Sequence, residues 1–214
     1  MQDAIEVVFK KREGITGCSR TDTGVHANQF YFHMDTQAGI PCEAAVIALN
    51  NSLPGDIAVK SCREVGPEFH ARYSVKKKEY LYKIWDAPIR NPLLDGLVLH
   101  NRRRLDEALL NRCAQEFLGT HDFIGFCSAG GKMHDTVRTI YDCGVVRDGD
   151  LVEFRVTGNG FLYNMVRIMV GTLLQADYGR LKEGDITEIV ASKDRSRGGI
   201  TAGPEGLYLN RVLY

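Results

Sequence analysis

A hairpin in the second half of the 214-residue chain does most to limit its fold. Val152, Phe154 and Val156 alternate with Glu153, Arg155 and Thr157, the pattern of a strand with one buried face and one wet face. An Asp148-Gly149 turn joins this strand to Ile140–Val146, and that dipeptide suits the tight turn of an antiparallel pair. Gln29–Met34, Glu79–Trp85 and Gly206–Tyr214 read as further strands. Pro41 opens a helix through Ala44, Ala45, Ile47 and Ala48 that ends before Pro54. Leu105, Leu109, Cys113 and Phe117 recur every four residues ahead of a stop at Gly119. Asp185 with Glu188 reads as a capping box for a helix through Ala191. Hairpin-joined strands with helices between groups of them make an α+β chain with a mostly antiparallel sheet. No Gly-rich phosphate loop follows a strand, which argues against a nucleotide-cofactor fold.

A chain of this length buries a core without disulfides or metals. Its apolar content of 44% and charged content of 25% are those of a globular protein. No apolar run approaches the roughly 20 residues of a membrane-spanning helix. The opening MQDAIEVVFKKREG lacks the apolar core and cleavage site of a signal peptide, so the expected location is the cytoplasm, with no membrane partner. Six cysteines are scattered without a Cys-x-x-Cys pair and read as small apolar fillers in a reducing compartment. The six histidines show no metal-ligand spacing, and no metal is expected. The net charge is zero, but residues 60–104 hold eleven Lys/Arg against five Asp/Glu. Arg72, Lys76-Lys77-Lys78 and Arg102-Arg103-Arg104 belong to this stretch, either a solvated basic face or a surface that neutralises phosphates.

Three segments break the pattern of a simple fold. Ser19-Arg20-Thr21-Asp22-Thr23-Gly24-Val25-His26-Ala27 leads into an apolar strand. A turn explains Asp, Thr and Gly24, but does not need Arg20, Asp22 and His26 together, and loops at strand ends are where catalytic groups sit. Arg167 stands inside Phe161–Gly171, a helix apolar nearly all round. A guanidinium there either snorkels at the edge of the core or pairs with a carboxylate, for which Asp22 is one candidate. In Glu79–Trp85, Tyr80, Tyr82 and Ile84 share one strand face. They are either core residues or, beside the lysine run, a platform on which a base stacks.

Taken in order, these segments resemble the tRNA pseudouridine synthase A (TruA) family. SRTDTGVHA looks like its active-site loop, HARYSVKKKEYLYKI like its H-A-R-[FY]-S segment and Tyr-x-Tyr strand, and NGFLYNMVRIMVGTLL like its long helix with a buried arginine. The tail ASKDRSRGGITAGPEGLYL, together with LGTHDFIGF and TVRTI, adds agreement, so the similarity runs from about Ala4 to Leu213. The resemblance implies the pseudouridine synthase fold: two related α+β lobes with joined, mostly antiparallel sheets and a basic cleft. Residues 1–75 would form the N-terminal lobe carrying the Asp loop, and residues 76–214 the C-terminal lobe carrying the Tyr strand and the Arg helix. It implies isomerisation of uridine at positions 38–40 of the tRNA anticodon stem-loop, without a cofactor, by a homodimer. Asp22 would be the nucleophile, Arg167 its partner and Tyr80 the residue stacked on the target base. Arg20, His26, Arg72, Lys76, Lys77 and Lys78 would hold the loop and the RNA. The family usually begins with a further strand and a Gly-Trp-containing loop ahead of the point where Met1 falls, so the first N-terminal strand is expected to be missing and a sheet edge exposed. Two rival readings keep other chemistry in view: a homologue that binds tRNA without modifying it, and a hydrolase using Asp22 and His26 as an acid–base pair.

Overall fold

The computed structural model describes residues 1–129 and 135–214. Its helices are α1 (Gln2–Phe9), α2 (Cys42–Ser52), α3 (Glu107–Gln115), α4 (Met165–Asp177) and α5 (Asp185–Ser192). Its strands are β1 (Thr16–Gly17), β2 (His26–Ala27), β3 (Phe32–His33), β4 (Lys77–Asp86), β5 (Leu99–Asn101), β6 (Gly119–Asp122), β7 (Val137–Asp148), β8 (Leu151–Gly158) and β9 (Leu207–Leu213). The described residues are α+β, and they fall into two compact units: Met1–Arg20 with Tyr31–Val75, and Thr21–Phe30 with Lys76–Tyr214. The Asp22 loop therefore groups with the second unit, although in sequence it lies inside the first. No helix among the described residues is long and apolar enough to cross a membrane.

In the first unit, α1 and α2 meet over Ala4, Ile5 and Leu49, while β1 pairs with β3 in a two-stranded antiparallel sheet. The strand expected over Gln29–Met34 is reduced to Phe32–His33. Phe30 and Tyr31 are exposed, so the run has no buried face to hold it extended, and the amides of Asn28 and Gln29 bond Leu209 O in the second unit's own sheet edge. The cysteine expectation is also corrected in part. Cys18, Cys113 and Cys143 are buried, but Cys62 is exposed with its Sγ 3.4 Å from that of Cys42.

The second unit is built on a seven-stranded sheet in the order β2-β9-β4-β8-β7-β6, with β5 pairing alongside β4. The β2–β9 and β4–β5 pairs are parallel and the rest antiparallel. The hairpin is the expected one: Val152, Phe154 and Val156 are buried and Gly149 turns with φ 60°. A register shift between β4 and β9 falls at Glu79/Tyr80, and such bulges re-aim side chains. Helix α3 packs on β7 and against α4. Its N-cap is Asp106, whose carboxylate accepts from Leu109 N at 2.9 Å.

Helix α5 forms where expected, but its capping box does not. Asp185 is already helical, the cap position is Gly184 at φ 98°, and the Asp185 carboxylate accepts from Lys182 N. Glu116, just beyond α3, does the capping instead. Its carboxylate accepts from Gly184 N and Thr187 N, both at 2.9 Å. A carboxylate fixed by another helix satisfies the orphan amides that a local side chain would otherwise have met.

Helix α4 is the most buried element. Ile168, Met169, Val170, Gly171, Thr172 and Leu173 all lie inside. It runs against the backbone of residues 199–202 so closely that a Cβ on Gly171 would overlap the Ile200 carbonyl oxygen and sit 2.9 Å from its carbon. Thr172 Oγ1 accepts from Gly199 N at 2.8 Å, and Ala202 N donates to Arg167 O at 3.1 Å. These bonds set the path of the segment that enters β9.

Candidate active site

Three pieces of the second unit meet at Arg167: the Thr21–Gly24 loop ahead of β2, the start of α4, and the Ala202–Gly206 segment ahead of β9; Ser128 joins one step further out, through Asn164. Arg167 lies on the first turn of α4 with a side chain only 15% exposed. A charge so placed needs partners on every donor it can satisfy. Its Nε donates to Ala202 O at 2.7 Å, and its Nη1 donates to Asn164 Oδ1 at 2.8 Å and to Asp22 Oδ2 at 3.1 Å. The Asp22 side chain is 28% exposed, so its carboxylate is paired on one side and reachable from solvent on the other. That is the arrangement a nucleophilic carboxylate requires: a fixed counter-charge behind and an approach for substrate in front.

The Asp22 loop is held by local geometry and by packing. Val25 N donates to Asp22 O at 3.1 Å, closing a turn that carries Gly24 at φ 83°. A Cβ on Gly24 would sit 3.0 Å from Pro204 Cγ, so glycine serves both the turn and the approach of Pro204. Four residues beyond Asp22, His26 pairs in register with Tyr208, stacks on its ring with centroids 4.6 Å apart, and places Nε2 2.9 Å from Gly96 O. His26 is thus an anchor for the loop, engaged with a backbone carbonyl.

Tyr80 is in the middle of β4, 7% exposed, with its ring edge-on to Phe161 at 5.0 Å. Tyr82, on the same strand, is fully buried and donates its hydroxyl to Gly203 O at 2.7 Å. Burial pushes its phenol well above the ordinary range, so it is a neutral donor bracing the segment that carries Ala202. Lys76 and Lys77 are exposed at the head of β4, with Lys77 Nζ 4.6 Å from the Tyr141 ring centroid. Lys78 is half-buried beside them. Arg20 and Arg72 belong to the first unit; Arg20 is exposed, and Arg72 donates its amide to His70 Nδ1 at 3.2 Å. Of the nine residues singled out from sequence, the structure brings Asp22 and Arg167 into direct contact and anchors His26 nearby. Asn164, Ser128 and the Ala202 carbonyl were missed. Asn164, a polar residue just before an apolar helix, was the one visible signal.

An open concavity of about 460 Å³ lies elsewhere, along Trp85, Pro88, Ile89, Arg90 and Pro92, and includes neither Asp22 nor Arg167.

Comparison with known proteins gives this geometry its class. A family model described as "tRNA pseudouridine synthase" matches residues 113–214, which include Arg167, Asn164 and Ala202. Proteins named tRNA pseudouridine synthase A align along the chain and beyond that match. The one from Ruminiclostridium cellulolyticum is 43% identical over 215 residues, covering 100% of this chain and 88% of its own length. That of a Thermoanaerobacter species is 41% identical over 214 residues, with the same coverage. That of Staphylococcus aureus is 42% identical over 208 residues, covering 97% of this chain and 78% of its own. The chain belongs to the tRNA pseudouridine synthase A family.

Proposed function

We propose that this protein isomerises uridine to pseudouridine at positions 38–40 of the tRNA anticodon stem-loop, with Asp22 as the nucleophile. The observation that carries the reading is the Asp22–Arg167 ion pair at 3.1 Å, in a chain of this family, with one carboxylate face open to solvent. In the reaction the N1–C1′ bond breaks, the base turns, and a C5–C1′ bond forms. The hydrogen on C5 is lost as a proton and N1 is left bearing one, so atoms and electrons balance without a redox partner or cofactor. Arg167 holds the counter-charge for the Asp22 carboxylate, and Ala202 and Asn164 hold Arg167.

The target nucleotide must leave its stack, which costs a few kcal/mol. Tyr80 recovers part of that by stacking on the extruded uracil, with Phe161 fixing the ring. Lys76, Lys77 and Lys78, with Arg20 and Arg72, grip the phosphates, while His26 holds the Asp22 loop. The working form is a cytoplasmic homodimer. Turnover of unmodified tRNA by the wild type and by Asp22→Asn tests the assignment. Asn keeps the shape and removes the charge, so pseudouridine formation is expected to vanish while tRNA binding persists. Near-normal turnover by the variant would remove Asp22 from the mechanism.

A further inference from the structure

Asn164 stands immediately ahead of α4 with φ 61° and ψ 6°, the left-handed region that Gly, Asn and Asp tolerate best. Both ends of its amide are engaged. Oδ1 accepts from Arg167 Nη1 at 2.8 Å, and Nδ2 donates to Ser128 Oγ at 2.9 Å. Ser128 is itself tied to the same turn, its N–H donating to Tyr163 O at 3.1 Å. A guanidinium nitrogen only donates, so the amide oxygen must face Arg167 and the amide nitrogen must face Ser128. The Ser128 hydroxyl, which accepts, makes that orientation the satisfied one.

The geometry around Arg167 shows what this accomplishes. Anchored only by Nε on Ala202 O, the guanidinium plane would tilt about that bond and carry Nη1 away from Asp22. The Asn164 oxygen is a second fixed acceptor, on the same nitrogen that reaches Asp22 Oδ2. We propose that Asn164, oriented by Ser128, is a positioning residue that fixes the Arg167 guanidinium and through it the reactive orientation of the Asp22 carboxylate. The inference rests on the reading of Asp22 as nucleophile.

Three variants of the full chain separate the amide from the backbone. Asn164→Gly keeps the left-handed conformation and deletes both hydrogen bonds. Asn164→Asp keeps that conformation and an acceptor toward Nη1, and the Ser128 hydroxyl can turn to donate to it. Ser128→Ala removes the orienting hydroxyl. With unmodified tRNA, Asn164→Gly is expected to lose about ten- to a hundredfold in kcat, as misplaced groups do, with KM within about twofold of wild type. Asn164→Asp should recover most of that loss, and Ser128→Ala should lose a few-fold. A wild-type kcat in Asn164→Gly, a loss that Asn164→Asp fails to recover, or a rise in KM with kcat intact would each overturn the proposal.

A second readout does not depend on turnover. In protein labelled with ¹⁵N-arginine, Arg167 should show separate, slowly exchanging Nη signals in the wild type that average in Asn164→Gly. Identical signals in both would overturn the positioning role. Wild type and Asp22→Asn run alongside. A wild type that binds tRNA but makes no pseudouridine sinks the isomerase reading by itself, and the arginine signals still decide whether Asn164 fixes Arg167.

Discussion

Replacing Gly171 with alanine sets two well-known effects against each other, and the structure decides the sign. In an exposed helix interior the change stabilises by about 1 kcal/mol, because alanine has less backbone freedom to lose. Here the new methyl would overlap the Ile200 carbonyl oxygen and press on its carbon at 2.9 Å. The obstacle is backbone and has no rotamer to change. It is also pinned, by Gly199 N on Thr172 Oγ1 and by Ala202 N on Arg167 O. Overpacking of this kind costs about 1–3 kcal/mol where neighbours can give way, and about 1 kcal/mol more for each pinning bond that breaks. Less the propensity gain, a net loss of about 3 kcal/mol follows, or a fall in Tm of about 6–12 °C for a protein of this size. Urea and thermal unfolding of wild type and Gly171→Ala measure it. Because the displaced segment carries the Ala202 carbonyl that anchors Arg167, turnover should also fall in the fraction that remains folded. A variant melting at or above wild type would show that residues 199–202 do not press on α4 and that Arg167 is not held through them.

Other perturbations probe the remaining supports. Thr172→Val conserves shape but leaves the buried Gly199 N–H without its acceptor, so about 1–3 kcal/mol of stability should be lost; an unchanged urea midpoint would refute this. Asp122 is held below the ordinary carboxylate range, first by the Thr136 hydroxyl at 2.6 Å and also by Lys193 at 3.0 Å. The folded protein therefore binds fewer protons there than the unfolded chain. Its stabilisation is present above the usual value of 3.8 and lost as pH falls through the lower folded value. Asp122→Asn should accordingly show a shallower loss of stability below about pH 4, and a parallel acid profile would contradict the assignment. Neutralising Lys76, Lys77 and Lys78 to Gln should weaken tRNA binding and flatten its salt dependence, by up to about one unit of log–log slope for every phosphate left without its lysine. An unchanged slope would place the RNA on another surface.

The sequence by itself determined the elements whose signals are local and the residues whose chemistry is conspicuous. Alternation at Val152, Phe154 and Val156, with a turn at Asp148-Gly149, specified the central hairpin, because strand period and turn geometry need no distant partner. Arg167 could be singled out because a lone cation in an apolar helix demands a counter-charge, and Asp22 was a candidate for it. Only the tertiary structure decided that these two meet, across 145 residues of chain, and that the loop of Asp22 groups with the larger unit. It also gave the cap of α5 to Glu116 and shortened the strand near Phe32, since both depend on which groups arrive from elsewhere. The roles of Asn164, Ser128, Ala202 and Gly171 lay beyond sequence for the same physical reason. A hydrogen bond or a close backbone approach is a property of positions in space, and single residue types carry no record of the partners that folding brings to them.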